Sequence, residues 1–226
     1  MFGVSGPPFG VKICGITSAE QASAICDLGA DAIGLNFWPK SRRYIRPADA
    51  EPWAEGLRER IKVVGVFVNP SLAMLREVIS MGVIDVIQLH GDEDGSRVMR
   101  VMDLGMPVIK ALQVRGRESL QFIRTFPCER FILDAYCPGL YGGEGKTFPW
   151  ELAIEAKETF PMKRFILAGG LTPDNVGLAV AQVKPVGVDV ASGVESAPGV
   201  KDLDLVRRFI TEAKKAYAVS AESESR

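Results

Sequence analysis

Short apolar runs rich in β-branched residues recur along the chain at Val11–Cys14, Ala32–Phe37, Val63–Val68, Val86–Leu89, Val108–Leu112, Phe131–Leu133, Arg164–Leu167 and Gly187–Val190. Most are apolar at consecutive rather than alternate positions, the pattern of parallel strands covered on both faces. Helical spacing between them predicts helices over Ala19–Leu28, Pro47–Arg60, Leu72–Met81, Ser96–Leu104, Ser119–Phe126, Trp150–Phe160, Pro173–Gln182 and Leu203–Tyr217. Ser18 is placed to cap the first helix and Gly29 to stop it. Strand and helix alternate with a repeat of roughly 20–35 residues, which fits one βα unit per repeat. The class is therefore α/β, and eight such units predict a closed (β/α)8 TIM barrel. The competing open, doubly wound sheet would more often carry Gly-x-Gly-x-x-Gly after the first strand, where this chain has Cys14-Gly15-Ile16-Thr17. The pattern reads as one domain over residues 1–226, with a core from about 9 to 217 and a short N-terminal extension. The polar tail Ser220–Arg226 is expected to be disordered.

Composition narrows the function classes. Hydrophobic residues make up 47% and charged residues 24%, the proportions of a globular protein. Lys plus Arg is 27 and Asp plus Glu is 28, so the net charge of -1 favours neither nucleic acid nor an anionic membrane as partner. Met1–Pro8 shows no basic region leading into an apolar run, and no stretch is apolar for long enough to span a bilayer. Cys14, Cys26, Cys128 and Cys137 have no paired spacing. Reduced thiols in a cytoplasmic protein are the expectation. With His90 the single histidine and no Cys-x-x-Cys pair, a zinc site is not expected.

Strand ends carry the candidate chemistry, because ligands of parallel α/β proteins bind at the carboxyl ends of strands. Lys12 and Cys14 share one face of the first strand, with Ile13 on the other. A thiol there is a candidate base or nucleophile, and Lys12 would favour its thiolate. The plain alternative is a small buried apolar cysteine. After the second strand comes a basic and aromatic loop, Asn36–Tyr44, suited to a carboxylate or phosphate and a planar group. Gln88 and His90 share the inward face at the end of the fourth strand. Asp134 ends a wholly apolar sixth strand, and a buried carboxylate needs a partner. A raised pKa in that apolar setting would make it a general acid; the alternative is a loop-bracing aspartate. Glycine turns follow strands seven and eight, Gly169-Gly170 and Ser192-Gly193, where barrels commonly cradle phosphate. The glycine-rich segment Gly139–Thr147 falls one residue short of a nucleotide P-loop, with Leu140 where glycine is required. It reads as a lid whose Lys146 could touch the ligand.

Taken in order, these segments resemble the phosphoribosylanthranilate isomerase family of tryptophan biosynthesis. The resemblance runs from about Val11 to about Ile210. It rests on Lys12-Ile13-Cys14-Gly15-Ile16-Thr17, Pro39-Lys40-Ser41-Arg42-Arg43-Tyr44, Val66-Phe67-Val68-Asn69, Gln88-Leu89-His90-Gly91 and Leu133-Asp134. It continues through Gly142–Phe148, Gly169–Pro173 and Gly187–Glu195. The resemblance implies an Amadori rearrangement of N-(5-phosphoribosyl)anthranilate to the carboxyphenylamino-deoxyribulose phosphate, without metal or organic cofactor. It implies Cys14 as the base that removes the C2 proton and Asp134 as the acid that opens the sugar ring. Arg43 would hold the anthranilate carboxylate. Gly169, Gly170, Ser192 and Gly193 would hold the phosphate, and His90 and Asp189 would line the pocket. Two departures stand out: Arg42 replaces the family's usual proline, and Asn36 takes a usually apolar place. Asn36 would either alter the pocket or bond to neighbouring backbone.

Two alternatives remain. A histidine-pathway isomerase would carry an aspartate where this chain has Cys14, and would want a second phosphate cradle. A non-catalytic phosphosugar-binding barrel would need neither Cys14 nor Asp134. Monomer and homodimer are both compatible with the sequence.

Overall fold

The computed structural model describes residues 9–135 and 149–224. Eight parallel strands close into a barrel in chain order: β1 (Gly10–Cys14), β2 (Ala32–Asn36), β3 (Lys62–Phe67), β4 (Val86–Leu89), β5 (Val108–Val114), β6 (Arg130–Ala135), β7 (Arg164–Leu167) and β8 (Gly187–Val190). Around them lie α1 (Ala19–Asp27), α2 (Pro47–Leu57), α3 (Leu72–Ser80), α4 (Gly95–Met102), α5 (Arg117–Leu120), α6 (Trp150–Thr159), α7 (Val176–Val183) and α8 (Leu203–Glu224). The predicted (β/α)8 architecture is present, and every predicted strand is found. Among the described residues no helix is long and apolar enough to cross a membrane.

Local chemistry explains most boundaries. Ser18, Ser71 and Asp94 each accept a hydrogen bond from the backbone N–H three residues on, capping α1, α3 and α4. The weak fifth helix is a single α-turn, Arg117–Leu120, that tightens into a 3-10 turn over Gln121–Thr125. Helix α7 starts later than its predicted Pro173. Asn175 spends its side chain on the preceding turn, accepting from Thr172 N at 2.8 Å and donating to Gly170 O at 2.9 Å. The tail expected to be disordered from Ser220 instead continues α8 to Glu224. Its alanine and glutamate are strong helix formers, and the Ser220 hydroxyl donates to Ala216 O at 2.9 Å. A short antiparallel hairpin that the sequence did not reveal, β9 (Glu195–Ala197) with β10 (Val200–Lys201), stands after β8.

Two apolar sets form. Outward residues such as Val11, Ile13, Ile33 and Val188 pack under the helices. Inward residues Ala32, Val64, Val86, Ile109, Ile132 and Ile166 fill the barrel. One inward pair is ionic. Lys12 on β1 stands in register with Asp189 on β8, where the barrel closes, and its Nζ lies 2.8 Å from Asp189 Oδ1. Burial pushes the Lys12 pKa down, but Asp189 and Cys14 outweigh it and hold the ammonium above its ordinary value. Ala32, its register partner on β2, and Gly34, the partner of Cys14, leave room for the long side chain. A Cβ at Gly34 would stand 2.7 Å from Cys14 Sγ and 3.1 Å from Lys12 Cε.

A buried pair costs desolvation and is costly to break from one side only. Asp189→Ala, which strands the ammonium, should lower the unfolding free energy by about 3–5 kcal/mol. The double change Lys12→Met with Asp189→Leu should recover most of it. Urea unfolding measures both; single and double variants of equal stability would show that Lys12 is not held as a charge.

Candidate active site

The carboxyl ends of the strands enclose a cavity of about 570 Å³, within the size range of small-ligand sites. Cys14, Arg43, His90, Asp134, Gly169, Gly170, Asp189, Ser192 and Gly193 all line it. The structure thus brings these nine predicted residues to one mouth.

Cys14 is the last residue of β1 and faces this cavity above the Lys12–Asp189 pair. Burial raises its pKa. Lys12 and Lys201 pull the other way, Asp189 adds to the rise, and burial prevails. The net effect favours the neutral thiol. Lys12 acts on it in the expected direction but does not by itself produce a thiolate.

Asp134 lies near the end of β6 and is 5% exposed. Its partner is His90, whose Nε2 lies 3.3 Å from Asp134 Oδ2. Gln88 Nε2 meets His90 Nδ1 at 3.1 Å. With that amide donating, Nδ1 is the acceptor and the ring proton is assigned to Nε2, on the aspartate side. Among the described residues, Gln88 Oε1 and His90 Nε2 have no well-aligned hydrogen-bond partner. Behind His90, buried Lys110 and Glu93 pair at 2.9 Å. Glu93 accepts from Asn69 N at 2.8 Å and Gly91 N at 3.0 Å, which pins the loop that follows the histidine.

Arg43 crosses the end of β1. Gly15, at φ +84°, makes the crossing possible, since a Cβ there would lie 2.3 Å from Arg43 Cδ. The Arg43 guanidinium forks onto Glu195, with Nε and Nη2 each 2.7 Å from a carboxylate oxygen. Lys201 Nζ also donates to Glu195, at 2.7 Å, and to Ala191 O at 3.0 Å. Burial raises the Glu195 pKa, but Arg43 and Lys201 outweigh it and hold the carboxyl low. Arg42 is exposed at the rim. Asn36 does both things open to it: it lines the cavity, and its Oδ1 accepts from Trp38 N at 3.0 Å.

The two glycine turns meet. A Cβ on Gly193 would fall 1.9 Å from Leu171 O, and one on Gly169 would fall 2.4 Å from Ala135 N and 2.9 Å from Asp134 Oδ1. Only glycine allows these backbones so close to each other and to the acid. Asp189 reaches the cavity, but its carboxylate is engaged by Lys12. The predicted lid, Gly139–Thr147 with Lys146, and the thiol Cys137 lie outside the described residues. Sequence reasoning missed the role of Glu195, which it read only as the end of a motif, and missed Lys201 altogether; their strands are too short to show a period.

Comparison with known proteins agrees with this geometry. The model of a protein family described as N-(5'-phosphoribosyl)anthranilate (PRA) isomerase matches residues 11–212. An N-(5'-phosphoribosyl)anthranilate isomerase of Geotalea uraniireducens is 47% identical over 204 residues, 90% of this chain and 98% of the relative. The crystal structure of phosphoribosyl anthranilate isomerase from Thermotoga maritima superposes with a TM-score of 0.81 at 39% identity, covering 92% of this chain and 99% of that one. A phosphoribosyl anthranilate isomerase in complex with reduced 1-(o-carboxyphenylamino)-1-deoxyribulose 5-phosphate gives a TM-score of 0.79 at 38% identity, with the same coverage.

The electrostatics of Cys14 can be read directly. Its alkylation by iodoacetamide should be slow at neutral pH and should rise with a midpoint above the free-cysteine value of about 8.5. Lys12→Met removes a cation and should move that midpoint higher; Asp189→Asn removes an anion and should move it lower. Labelled-peptide mass spectrometry against pH checks each shift, and a midpoint below that of a free cysteine would contradict the assignment.

Proposed function

The chain belongs to the N-(5'-phosphoribosyl)anthranilate isomerase family, and on that premise we propose how its pocket performs the Amadori rearrangement. The enzyme converts N-(5-phosphoribosyl)anthranilate to 1-(2-carboxyphenylamino)-1-deoxyribulose 5-phosphate. The observation that supports the residue roles is the convergence of a thiol, a carboxyl, an arginine and two glycine turns on one cavity. The thiol and the carboxyl come from strands that are not neighbours, β1 and β6. A sugar lying between them is reached from two sides.

The glycine turns at Gly169-Gly170 and Ser192-Gly193 receive the phosphate through backbone N–H groups. Arg43 receives the anthranilate carboxylate. Held at both ends, the ribose is presented to acid and base without further loss of freedom. Asp134 in its protonated form gives a proton to the ring oxygen. The C1–O bond breaks as the anilino nitrogen lone pair forms a C1=N bond. Cys14 as thiolate then takes the proton from C2, and that electron pair forms C1=C2 while the iminium nitrogen is neutralised. The resulting enolamine loses its hydroxyl proton and gains one at C1, giving the ketose. His90, against Asp134, orients the acid. Lys12 and Lys201 are the cations that favour the thiolate form of a thiol otherwise kept neutral by burial. The two roles require a deprotonated thiol and a protonated carboxyl in the same complex, so kcat/KM follows a bell in pH.

Cys14→Ser and Asp134→Asn should each lower kcat by at least ~100-fold with modest changes in KM. Arg43→Ala should weaken carboxylate-bearing product analogues by roughly 2–5 kcal/mol and inorganic phosphate little, while Arg42→Ala does much less. Steady-state kinetics and calorimetric titration are the measurements. Near-normal kcat in either catalytic variant removes its role, and the reverse arginine ranking transfers the carboxylate to Arg42.

A further inference from the structure

The hairpin after β8 brings a carboxylate to the pocket, Glu195, and sets a lysine, Lys201, against it. Glu195 has almost no exposed side chain and Lys201 has none. Together with Arg43 they form a row of three charges, Arg43–Glu195–Lys201, with each contact at 2.7 Å. Charged groups withdrawn from water to this degree are retained only where their geometry is well satisfied. Here it is. Glu195 Oε1 also accepts from Gly199 N at 3.3 Å, and Lys201 is tied to Ala191 O at 3.0 Å. The hairpin is itself fastened to the start of α1. Thr17 Oγ1 donates to Gly199 O at 2.9 Å, and Lys201 N donates to Gln21 Oε1 at 3.1 Å.

The other side of Arg43 is equally constrained. Its stem lies over Gly15, where any larger residue would displace it. A guanidinium has two forked edges, Nε with Nη2 and Nη1 with Nη2, and Glu195 takes the first. A carboxylate held on that edge fixes the plane of the whole group. It therefore fixes the direction in which the other edge meets an incoming carboxylate.

We propose that Glu195, backed by Lys201, is the positioning residue that sets the plane of Arg43, so that the β9–β10 hairpin governs recognition of the substrate's carboxylate. The inference rests on Arg43 receiving that carboxylate, as argued above. Thr17 and Gln21 take part as the anchors of the hairpin.

Two probes test it by calorimetry: the reduced carboxyphenylamino product and the same compound with phenylamino in its place. Their affinity ratio does not depend on the fraction of protein that is folded. Glu195→Gln should lower the affinity of the carboxylate probe by roughly 10-fold or more, the scale of one charge-assisted hydrogen bond, and leave the phenylamino probe within about 3-fold. In kinetics the loss should fall on KM more than on kcat. In an Arg43→Ala background, Glu195→Gln should change the ratio little, because the two act as one unit. Should the glutamine variant fail to fold, Glu195→Asp, which keeps the charge but is one methylene too short to hold both cations, should reproduce the selective loss. Equal weakening of both probes, or effects of Arg43→Ala and Glu195→Gln that simply add, would overturn the proposal. If Arg43→Ala itself does not discriminate the probes, the carboxylate assignment fails first and this proposal falls with it.

Discussion

The buried contact between Lys12 and Asp189 is the interaction on which the rest of the site stands. It joins the first and last strands at the seam where the barrel closes, beside the apolar side chains that fill the barrel. Two residues along β1 from that lysine sits the thiol. Its charge state is set by this pair on one side and by burial on the other. A single lysine thus serves the closure of the fold and the chemistry of its mouth. The neighbouring strand pays for the arrangement in side-chain volume: Gly34 has none, because a methyl group there would collide with both Cys14 and Lys12.

A second constraint is close backbone approach at the rim. Gly15 lets Arg43 cross the end of β1, Gly169 lets the turn after β7 rest against Asp134, and Gly193 lets the turn after β8 touch Leu171. Cys14 and Asp134 are therefore supported by strand ends, and the glycine turns by contact with each other and with the acid. Rigid support of this kind holds acid, base and anion sites at fixed separations, which is where much of the rate advantage of a bound sugar arises.

The fold was legible because each strand is buried on both faces and is written as a short unbroken apolar run, with a periodic helix after it. The failures have local causes. The fifth helix has no capping side chain and dissolves into a 3-10 turn. The last helix outruns its apolar stripe because alanine and glutamate sustain helix without packing. Cys14, Asp134 and the glycine turns could be found from strand ends alone, since their place in the period puts them at the mouth. Glu195 and Lys201 could not. Glu195 matters through its contact with Arg43, 152 positions away, and Lys201 through its contact with Glu195, and no spacing encodes either. Asp189 was visible as a pocket residue, but its principal partner, Lys12, lies 177 positions away. The effect of burial on Cys14 also became visible only once the barrel was closed around it.

The central claim is that this mouth removes a proton from C2 of a ribosyl amine after opening its ring. The most direct measurement follows N-(5-phosphoribosyl)anthranilate deuterated at C2 by NMR in a single turnover. The account predicts formation of the ketose product, loss of the C2 deuterium, and a primary isotope effect on the rate. Unchanged substrate, or anthranilate and ribose phosphate released with the deuterium still at C2, would contradict it.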